Sequence, residues 1–243
     1  MGIFCRRPVY EGPEKIVYEG PEPGTAVHHF KDFVAANPDL KVTNGHGIIN
    51  GRISQKLLTH LNEIGLPTYF LRTLNMREQL VRITEPLGLQ VNVYNMVDDA
   101  LTPILGLPVG TRLPRALLEL ASVRYTDTPK VLSPESISLL EWADENEVES
   151  MQAIALRAND FLCGYFAAIG LLLVNFTLHF GRFYHGGEED QVIICEGLTP
   201  DTLQVWDAQT HVNLSATGEQ GYYEIAHRLQ VLPNGPVKQQ EGA

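Results

Sequence analysis

Two pairs of residues carry side chains that could bind a phosphorylated ligand or a metal ion. Lys15, close behind Gly12 in a short glycine-containing turn, and Arg82 each carry a positive charge that could face the phosphates of a nucleotide. His179 and Glu196 offer an imidazole and a carboxylate, a combination that suits Zn²⁺ or Mn²⁺ better than Mg²⁺. The alternatives remain open: the cations are surface charges, and His179 is a half-buried strand residue, because two ligands without a third are weak evidence for a metal site.

The elements that must position these residues follow two periodicities. Apolar and polar residues alternate through residues 9–19, around Gly12-Pro13, which predicts two short strands and a turn. Further strands are predicted at 26–32, 69–74, 79–84 and 89–94, the last three rich in β-branched and aromatic residues. Between them, apolar residues recur at helical spacing from Ile53 to Ile64, and Gly65 with Pro67 predicts the end of that helix.

The second half of the chain has a different pattern of Pro, Gly and apolar residues. Residues 101–132 contain many Pro and Gly and predict loops with short strands, whereas Ser133-Pro134-Glu135 is typical of a helix start. One apolar face from Val148 to Phe166 predicts a long helix that ends near Gly170, followed by buried strands at 171–180 and 191–195. The expected fold is α+β with antiparallel sheets and packed helices: an N-terminal lobe at 1–90, a C-terminal lobe at 91–235 and a tail at 236–243.

Composition narrows the function. The chain has 243 residues, 44% of them hydrophobic, and 29 acidic against 18 basic residues give a net charge of -11. Such an acidic surface disfavours nucleic acid and membrane surfaces as partners. Three cysteines without a Cys-x-x-Cys spacing argue against a disulfide framework, and the longest apolar run, at 165–176, is too short for a membrane span. We therefore expect a cytoplasmic protein.

Four motifs resemble those of one enzyme family. They are L-V-N-F-T-L-H-F-G-R at 173–182, T-P-D-T at 199–202 with W-D at 206–207, Y-E-G-P-E-K at 10–15, and G-H-G-I-I-N-G-R-I-S at 45–54. Taken in their order along the chain, these motifs resemble the nucleotide- and metal-binding core of SAICAR synthetases. The resemblance implies a two-lobed, ATP-grasp- or kinase-like fold, ATP with Mg²⁺ as cofactors, and a homo-oligomer. It also implies that the hairpin with Gly12 and Lys15 covers the nucleotide phosphates, with Arg82 nearby.

The chain departs from the family at residues that carry the chemistry. An Asp, a Lys and a Glu of the family motif are here Asn175, Thr177 and His179, so the implied metal site keeps an acid only at Glu196. The implied substrate pocket contains Tyr94, Asn95, Ala100, Asp201 and Gln204. By resemblance, an Arg, a Ser and a second Arg at positions 94, 100 and 204 would bind the substrate 5′-phosphate. Losing an Arg–phosphate pair costs roughly 2–5 kcal/mol, so we expect that phosphate to bind poorly.

Three interpretations follow. The altered residues favour a non-catalytic or regulatory paralogue, which would pair with itself or with a true SAICAR synthetase. The alternatives are a divergent ATP-dependent carboxylate–amine ligase whose substrate lacks the ribose phosphate, and a true SAICAR synthetase. No catalytic residue is assigned. Binding of a nucleotide would separate the first interpretation from the second, and binding of the ribonucleotide would separate the second from the third.

Overall fold

The computed structural model describes residues 7–12, 14–32, 45–124, 128–184 and 190–232, and this part of the chain forms two antiparallel sheets with helices packed on them. The first sheet has the strand order β1-β2-β3-β5-β4. Its strands are β1 (Pro8–Glu11), β2 (Lys15–Glu19), β3 (Thr25–Phe30), β4 (Phe70–Thr73) and β5 (Glu78–Arg82). The predicted hairpin around Gly12 is therefore confirmed as β1 and β2, whereas Pro13 lies outside the described residues.

The second sheet is built on two long central strands, β6 (Glu85–Met96) and β9 (Leu171–Phe183). Its order is β10-β9-β6-β7-β8, and β11 also pairs with β9. The other strands are β7 (Arg112–Ser122), β8 (Lys130–Val131), β10 (Gln191–Ile194) and β11 (Leu203–Asp207). Because β6 starts at Glu85, residue 90, the predicted end of the first lobe, falls inside a strand of the second sheet. The predicted tail at 236–243 lies outside the described residues.

Two long helices cover the sheets, and a carboxylate accepts hydrogen bonds from backbone amides at the start of each. α1 (His46–Glu63) starts at the carboxylate of Asp32, which accepts hydrogen bonds from the amides of Gly45 (3.2 Å) and Gly47 (2.8 Å). An acid at this end is stabilised by the helix dipole. α4 (Glu145–Ala168) starts with a capping box between Asp144 and Glu147. The short helices are α2 (Thr102–Leu105), α3 (Pro134–Leu139) and α5 (Glu219–Arg228), with a 3-10 turn at Leu214–Ala216.

Most of the predicted elements are confirmed. Ser133 caps α3 as expected, and Gly65, at φ 77°, ends α1. The loops predicted at 101–132 are wrong, because β7 is an eleven-residue strand paired with β6. Pro114 is one of the prolines in this region. The pairing register shifts around it, because Met96 lies opposite Arg112 whereas Tyr94 lies opposite Leu117. Pro114 therefore lies in a bulge, where a residue without an N–H is tolerated.

The hydrophobic core is continuous across both sheets. It joins Leu57 and Leu61 of α1 to Met151 and Leu162 of α4, and to the buried face of β9, for example Phe176. The two sheets are therefore held against one another by a shared interior. No helix in the described part of the chain is long and apolar enough to span a membrane.

Candidate functional site

A cleft lies between the β1–β2 hairpin of the first sheet and the β9–β10 end of the second. It consists of two adjoining cavities of about 300 and 500 Å³ that share residues from both sheets. The shared residues include Lys15 and His28 from the first sheet, and His179 and Glu196 from the second. The cleft thus brings together both predicted metal ligands and all three predicted nucleotide-binding residues, with Gly12 in the smaller cavity, Arg82 in the larger and Lys15 in both.

An ion pair crosses the cleft. The Lys15 ammonium contacts both carboxylate oxygens of Glu196, and the side chains are 18% and 39% exposed. Burial alone would raise the pKa of Glu196, but the positive charge of Lys15 outweighs it and holds that pKa below the ordinary value. Glu196 is therefore ionised at neutral pH, and Lys15 is held in place by it.

Two imidazoles flank this pair, His28, which is buried, and His179, which is half-buried. Burial lowers the pKa of His28 to about 3, with the charge of Lys15 acting in the same direction, and burial also lowers the pKa of His179. His28 Nδ1 lies 3.4 Å from the Tyr69 hydroxyl. Both imidazoles are consequently neutral at pH 7. The sequence motifs did not identify His28, although alternation along β3 places it opposite to His29, which faces Glu78 at 3.3 Å.

The larger cavity is mostly apolar, with an anion-binding group at one end. Its walls include Val17, Ala26 and Val81 of the first sheet and Leu89 and Phe180 of the second, and Lys15 lies where it meets the smaller cavity. Such a slot can hold a flat apolar group whose charged portion extends towards Lys15.

The other two predicted nucleotide-binding residues are engaged in local contacts. Gly12 lines the smaller cavity, but its amide donates to the carbonyl oxygen of Lys15 (2.9 Å) and its carbonyl accepts from Lys31 (3.2 Å). Arg82 lies at the margin of the larger cavity, where its guanidinium donates to the Thr68 carbonyl (2.9 Å) and covers the Phe183 ring at 5.3 Å. Lys15 is thus the predicted nucleotide-binding residue best placed to meet an anion.

A third cavity of about 500 Å³ is lined by Asp201 and by residues of β9 and β11. Three of the predicted substrate residues line it: Ala100, Asp201 and Gln204. Among the described residues that line it, none is Lys, Arg or His, and Asp98 and Asp99 add two more carboxylates. Asn175 Nδ2 donates to both Asp98 Oδ2 and Gln204 Oε1, each at 2.7 Å. The wall is therefore a network of neutral amides and anions.

Two predicted substrate residues lie outside this cavity. The Tyr94 ring packs with Val97 and Leu101 in a small apolar cluster, and burial raises the pKa of its hydroxyl to about 12. Asn95 donates from Nδ2 to Asn159 Oδ1 of α4 at 2.7 Å. Adjacent strand residues point to opposite sides of a sheet, so Tyr94 and Asn95 could not both face one pocket. Neither side chain is part of the lining of this cavity.

Asp201 is fixed by residues of two helices. It accepts hydrogen bonds from Asn50 Nδ2 of α1 (2.8 Å) and from the Tyr222 hydroxyl of α5 (2.6 Å). His46 Nε2 lies 3.9 Å away, too far for a hydrogen bond. Along the same face of α1, three buried atoms have no hydrogen-bond partner among the described residues: His46 Nε2, Asn50 Oδ1 and Ser54 Oγ.

The two predicted metal ligands, His179 and Glu196, line the same cavity, but no third ligand completes a site among the described residues. Within the ranges that the structure describes, no group of three or more His, Cys, Asp or Glu side chains is arranged to hold a metal ion. Glu196 is paired with Lys15, and His179 is a nitrogen ligand that Mg²⁺ disfavours. The residues do not fit a resident metal centre. They fit a Mg²⁺ ion that arrives with phosphates and water and needs only one or two carboxylates from the protein.

Comparison with known proteins gives consistent matches over nearly the whole chain. The SAICAR synthetase family matches residues 8–220. The phosphoribosylaminoimidazole-succinocarboxamide synthases of Gluconobacter oxydans and Gluconacetobacter diazotrophicus are 41% and 40% identical; the matches cover 96% and 98% of this chain, and 96% and 97% of those proteins.

Solved structures agree with these sequence matches. The synthase of Ehrlichia chaffeensis superposes with a TM-score of 0.87 at 28% identity, covering 94% of this chain and 100% of that one. A SAICAR synthetase in complex with ADP superposes with a TM-score of 0.84 at 25% identity, covering 93% and 99%.

Proposed function

This chain belongs to the SAICAR synthetase family, and from that premise we propose that it is an ATP-dependent ligase that joins a carboxylate to an amine. We further propose that its carboxylate substrate carries no phosphate group. The third cavity carries this second part, because it offers carboxylates and amides but no cation among its described lining residues. The expectation of a two-lobed α+β fold agrees with the structural neighbours.

The nucleotide would occupy the cleft between the sheets. A relative with a TM-score of 0.84 is described in complex with ADP, and the apolar cavity here is large enough for a nucleobase. The phosphates would extend to Lys15, which would exchange its contact with Glu196 for the phosphate oxygens. Glu196 would then be free to hold a Mg²⁺ ion carried by the nucleotide. Such an ion supplies charge neutralisation at the transferring phosphoryl group.

The carboxylate substrate would lie in the third cavity, beside Asp201. A phosphate ester placed there would face Asp98, Asp99 and Asp201 without a compensating cation from the lining. The missing Arg–phosphate pair alone costs roughly 2–5 kcal/mol, or a factor of about 30 to 4,000 in affinity. Hydroxyl and amine groups, in contrast, would find acceptors at Asp98, Gln204 and Asp201.

A second candidate is the activity by which the relatives are named. The observation that favours it is the 40–41% identity to two such synthases over nearly the full length of each chain. The non-catalytic paralogue that the altered residues favoured finds no support in these comparisons. A homo-oligomer remains our proposal for the assembly.

The first experiment measures ADP and ATP binding by calorimetry, with and without Mg²⁺. We expect nucleotide binding and no binding of carboxyaminoimidazole ribonucleotide. Ligase activity is then sought by incubating the protein with ATP, Mg²⁺, hydroxylamine and a panel of carboxylic acids. Transfer of the γ-phosphoryl group to a carboxylate gives an acyl phosphate and ADP, and hydroxylamine displaces phosphate to leave a hydroxamate, which forms a coloured complex when ferric ion is added.

The outcomes separate the candidates. Nucleotide binding together with hydroxamate formation from a phosphate-free acid supports the proposal. Tight binding of the ribonucleotide supports the second candidate instead. A folded protein that binds neither ADP nor ATP at millimolar concentration contradicts both and leaves the non-catalytic paralogue.

A further inference from the structure

A groove of about 530 Å³ lies on the outer face of α1, away from the cleft. It runs between α1, the end of β4 and the turn that follows α5, and its walls include Arg52, Lys56, Thr59, Thr73, Asn75 and Gln230. His46 and Asn50 are the residues of α1 that face Asp201. Arg52, which lines the groove, follows Asn50 by two positions. Two positions correspond to about 200° around a helix, so the groove and the cleft lie on opposite faces of α1.

The charge of this groove is unusual for so acidic a chain. Its described lining contains Arg52 and Lys56 and no carboxylate, and His60 at its rim is paired with Glu63 at 2.9 Å. Each of the three cavities described above is lined by at least two carboxylates. In a protein with a net charge of -11, a groove lined by two cations and no acid therefore stands out.

The two cations are also incompletely paired. Lys56 is half-buried, and within the described part of the chain its ammonium makes no hydrogen bond or ion pair. Arg52 Nη1 donates to the Val231 carbonyl (2.8 Å), which leaves the rest of its guanidinium available. Like charges at positions i and i+4 of a helix repel one another, and an anion between them would turn this repulsion into attraction. Thr73 Oγ1, a buried atom in the wall of the groove, also has no hydrogen-bond partner in the part of the chain that the structure describes.

We propose that this groove binds the phosphate group of a small phosphate monoester, at a site separate from the cleft. Arg52 and Lys56 neutralise the dianion, and the hydroxyl of Thr59 is available as a donor to its oxygens. The volume exceeds what a free phosphate ion fills, so the organic part of a monoester also fits. The proposal does not depend on the ligase activity proposed above.

The test is an NMR titration of the whole chain with ribose 5-phosphate and, separately, with inorganic phosphate at constant ionic strength. We expect ribose 5-phosphate to shift the amide signals of residues 52–60 and of Thr73. The double variant Arg52→Gln/Lys56→Gln should bind at least about tenfold more weakly, since each lost charge-assisted contact is worth about that much. Lys56→Gln alone keeps the contact of Arg52 with Val231 and should show an intermediate loss.

The matched control is Arg115→Gln/Lys130→Gln. It removes one Arg and one Lys from exposed positions that line none of these cavities, so it should bind like the unaltered chain. Equal binding by both double variants would overturn the proposal, as would the absence of shifts at residues 52–60. Equal shifts with inorganic phosphate and ribose 5-phosphate would show an unspecific phosphate site and would overturn the monoester assignment.

Discussion

The substitution Glu196→Gln tests how the cleft receives an anion, because it removes one half of the Lys15–Glu196 ion pair. Losing one partner of a fully buried pair costs about 3–5 kcal/mol, whereas an exposed pair is worth at most about 1 kcal/mol. Lys15 is 18% and Glu196 39% exposed, so this pair lies between the limits. We therefore expect Glu196→Gln to lower the free energy of unfolding by about 1–2 kcal/mol.

The same substitution should strengthen metal-free nucleotide binding. In the unaltered chain an ADP phosphate must displace Glu196 from Lys15 and then lie beside its negative charge. With glutamine at position 196 both penalties disappear, and we expect ADP to bind about tenfold more tightly without Mg²⁺. With Mg²⁺ the gain should shrink, because the proposed carboxylate ligand has also gone.

The assay is a double-mutant cycle of Lys15→Met and Glu196→Gln, followed by urea unfolding and by ADP calorimetry at pH 7. A melting temperature lowered by about 2–8 °C would match the expected loss in a chain of this length. The pKa of Glu196 is held below its ordinary value of 4.5, so the pair stabilises the fold fully above pH 4.5. The contribution of the ion pair is lost as the pH falls below 4.5, so the free energies of unfolding of the unaltered chain and of Glu196→Gln should then converge. The reasoning is refuted if Lys15→Met binds ADP as well as the unaltered chain and Glu196→Gln binds it no better.

Three further predictions concern the same region. His28 has a pKa of about 3 in the fold against 6.5 when unfolded, so acid favours the unfolded chain below pH 6.5. Between pH 7 and pH 5 we expect a loss of about 2 kcal/mol that His28→Gln abolishes, measured by urea unfolding at each pH; identical pH profiles would contradict this. Tyr222→Phe removes a hydrogen-bond donor from the Asp201 carboxyl group and should lower the free energy of unfolding by about 1–3 kcal/mol. The neighbouring Tyr223→Phe, whose hydroxyl makes no hydrogen bond within the described residues, should cost less than about 0.5 kcal/mol, and equal melting temperatures would refute the assignment. Gln204→Arg, made in the Arg52→Gln/Lys56→Gln background so that the groove on α1 does not contribute, places a cation in the third cavity and should strengthen binding of ribose 5-phosphate about fivefold by calorimetry. The gain is smaller than a free arginine would give, because Asp98 and Asp201 compete for the cation. Unchanged binding would show that this cavity does not receive the phosphate.

The sequence predicted the elements of this fold better than the details of its site. Helix α1 and the capping residue Ser133 were predictable because helical spacing and side-chain capping are local properties. Strand β7 was not, since its pairing with β6 and the bulge at Pro114 depend on a partner strand sixteen or more residues away. Propensity alone cannot see such a partner.

The site shows the same division between local and non-local information. Motif positions identified Lys15 and Glu196 individually, but their ion pair joins residues 181 positions apart. Tyr94 and Asn95 were assigned together by motif, yet strand alternation sends one into an apolar cluster and the other towards α4. The lowered pKa values of His28 and His179 come mainly from burial, which only the packed structure reveals.

The buried polar atoms without hydrogen-bond partners on α1 have a consequence for the gap between α1 and the loop that carries Asp201. His46 Nε2, Asn50 Oδ1 and Ser54 Oγ are three of six buried polar side-chain atoms without a partner in the described chain, and they are four residues apart along one helix face. Each such atom costs about 1–3 kcal/mol, a penalty that water would remove if this seam were hydrated. Widening the gap between α1 and the loop that carries Asp201 is therefore opposed less than the apolar core alone would imply. We therefore expect α1 and the loop that carries Asp201 to separate at a lower cost in free energy than the two sheets would.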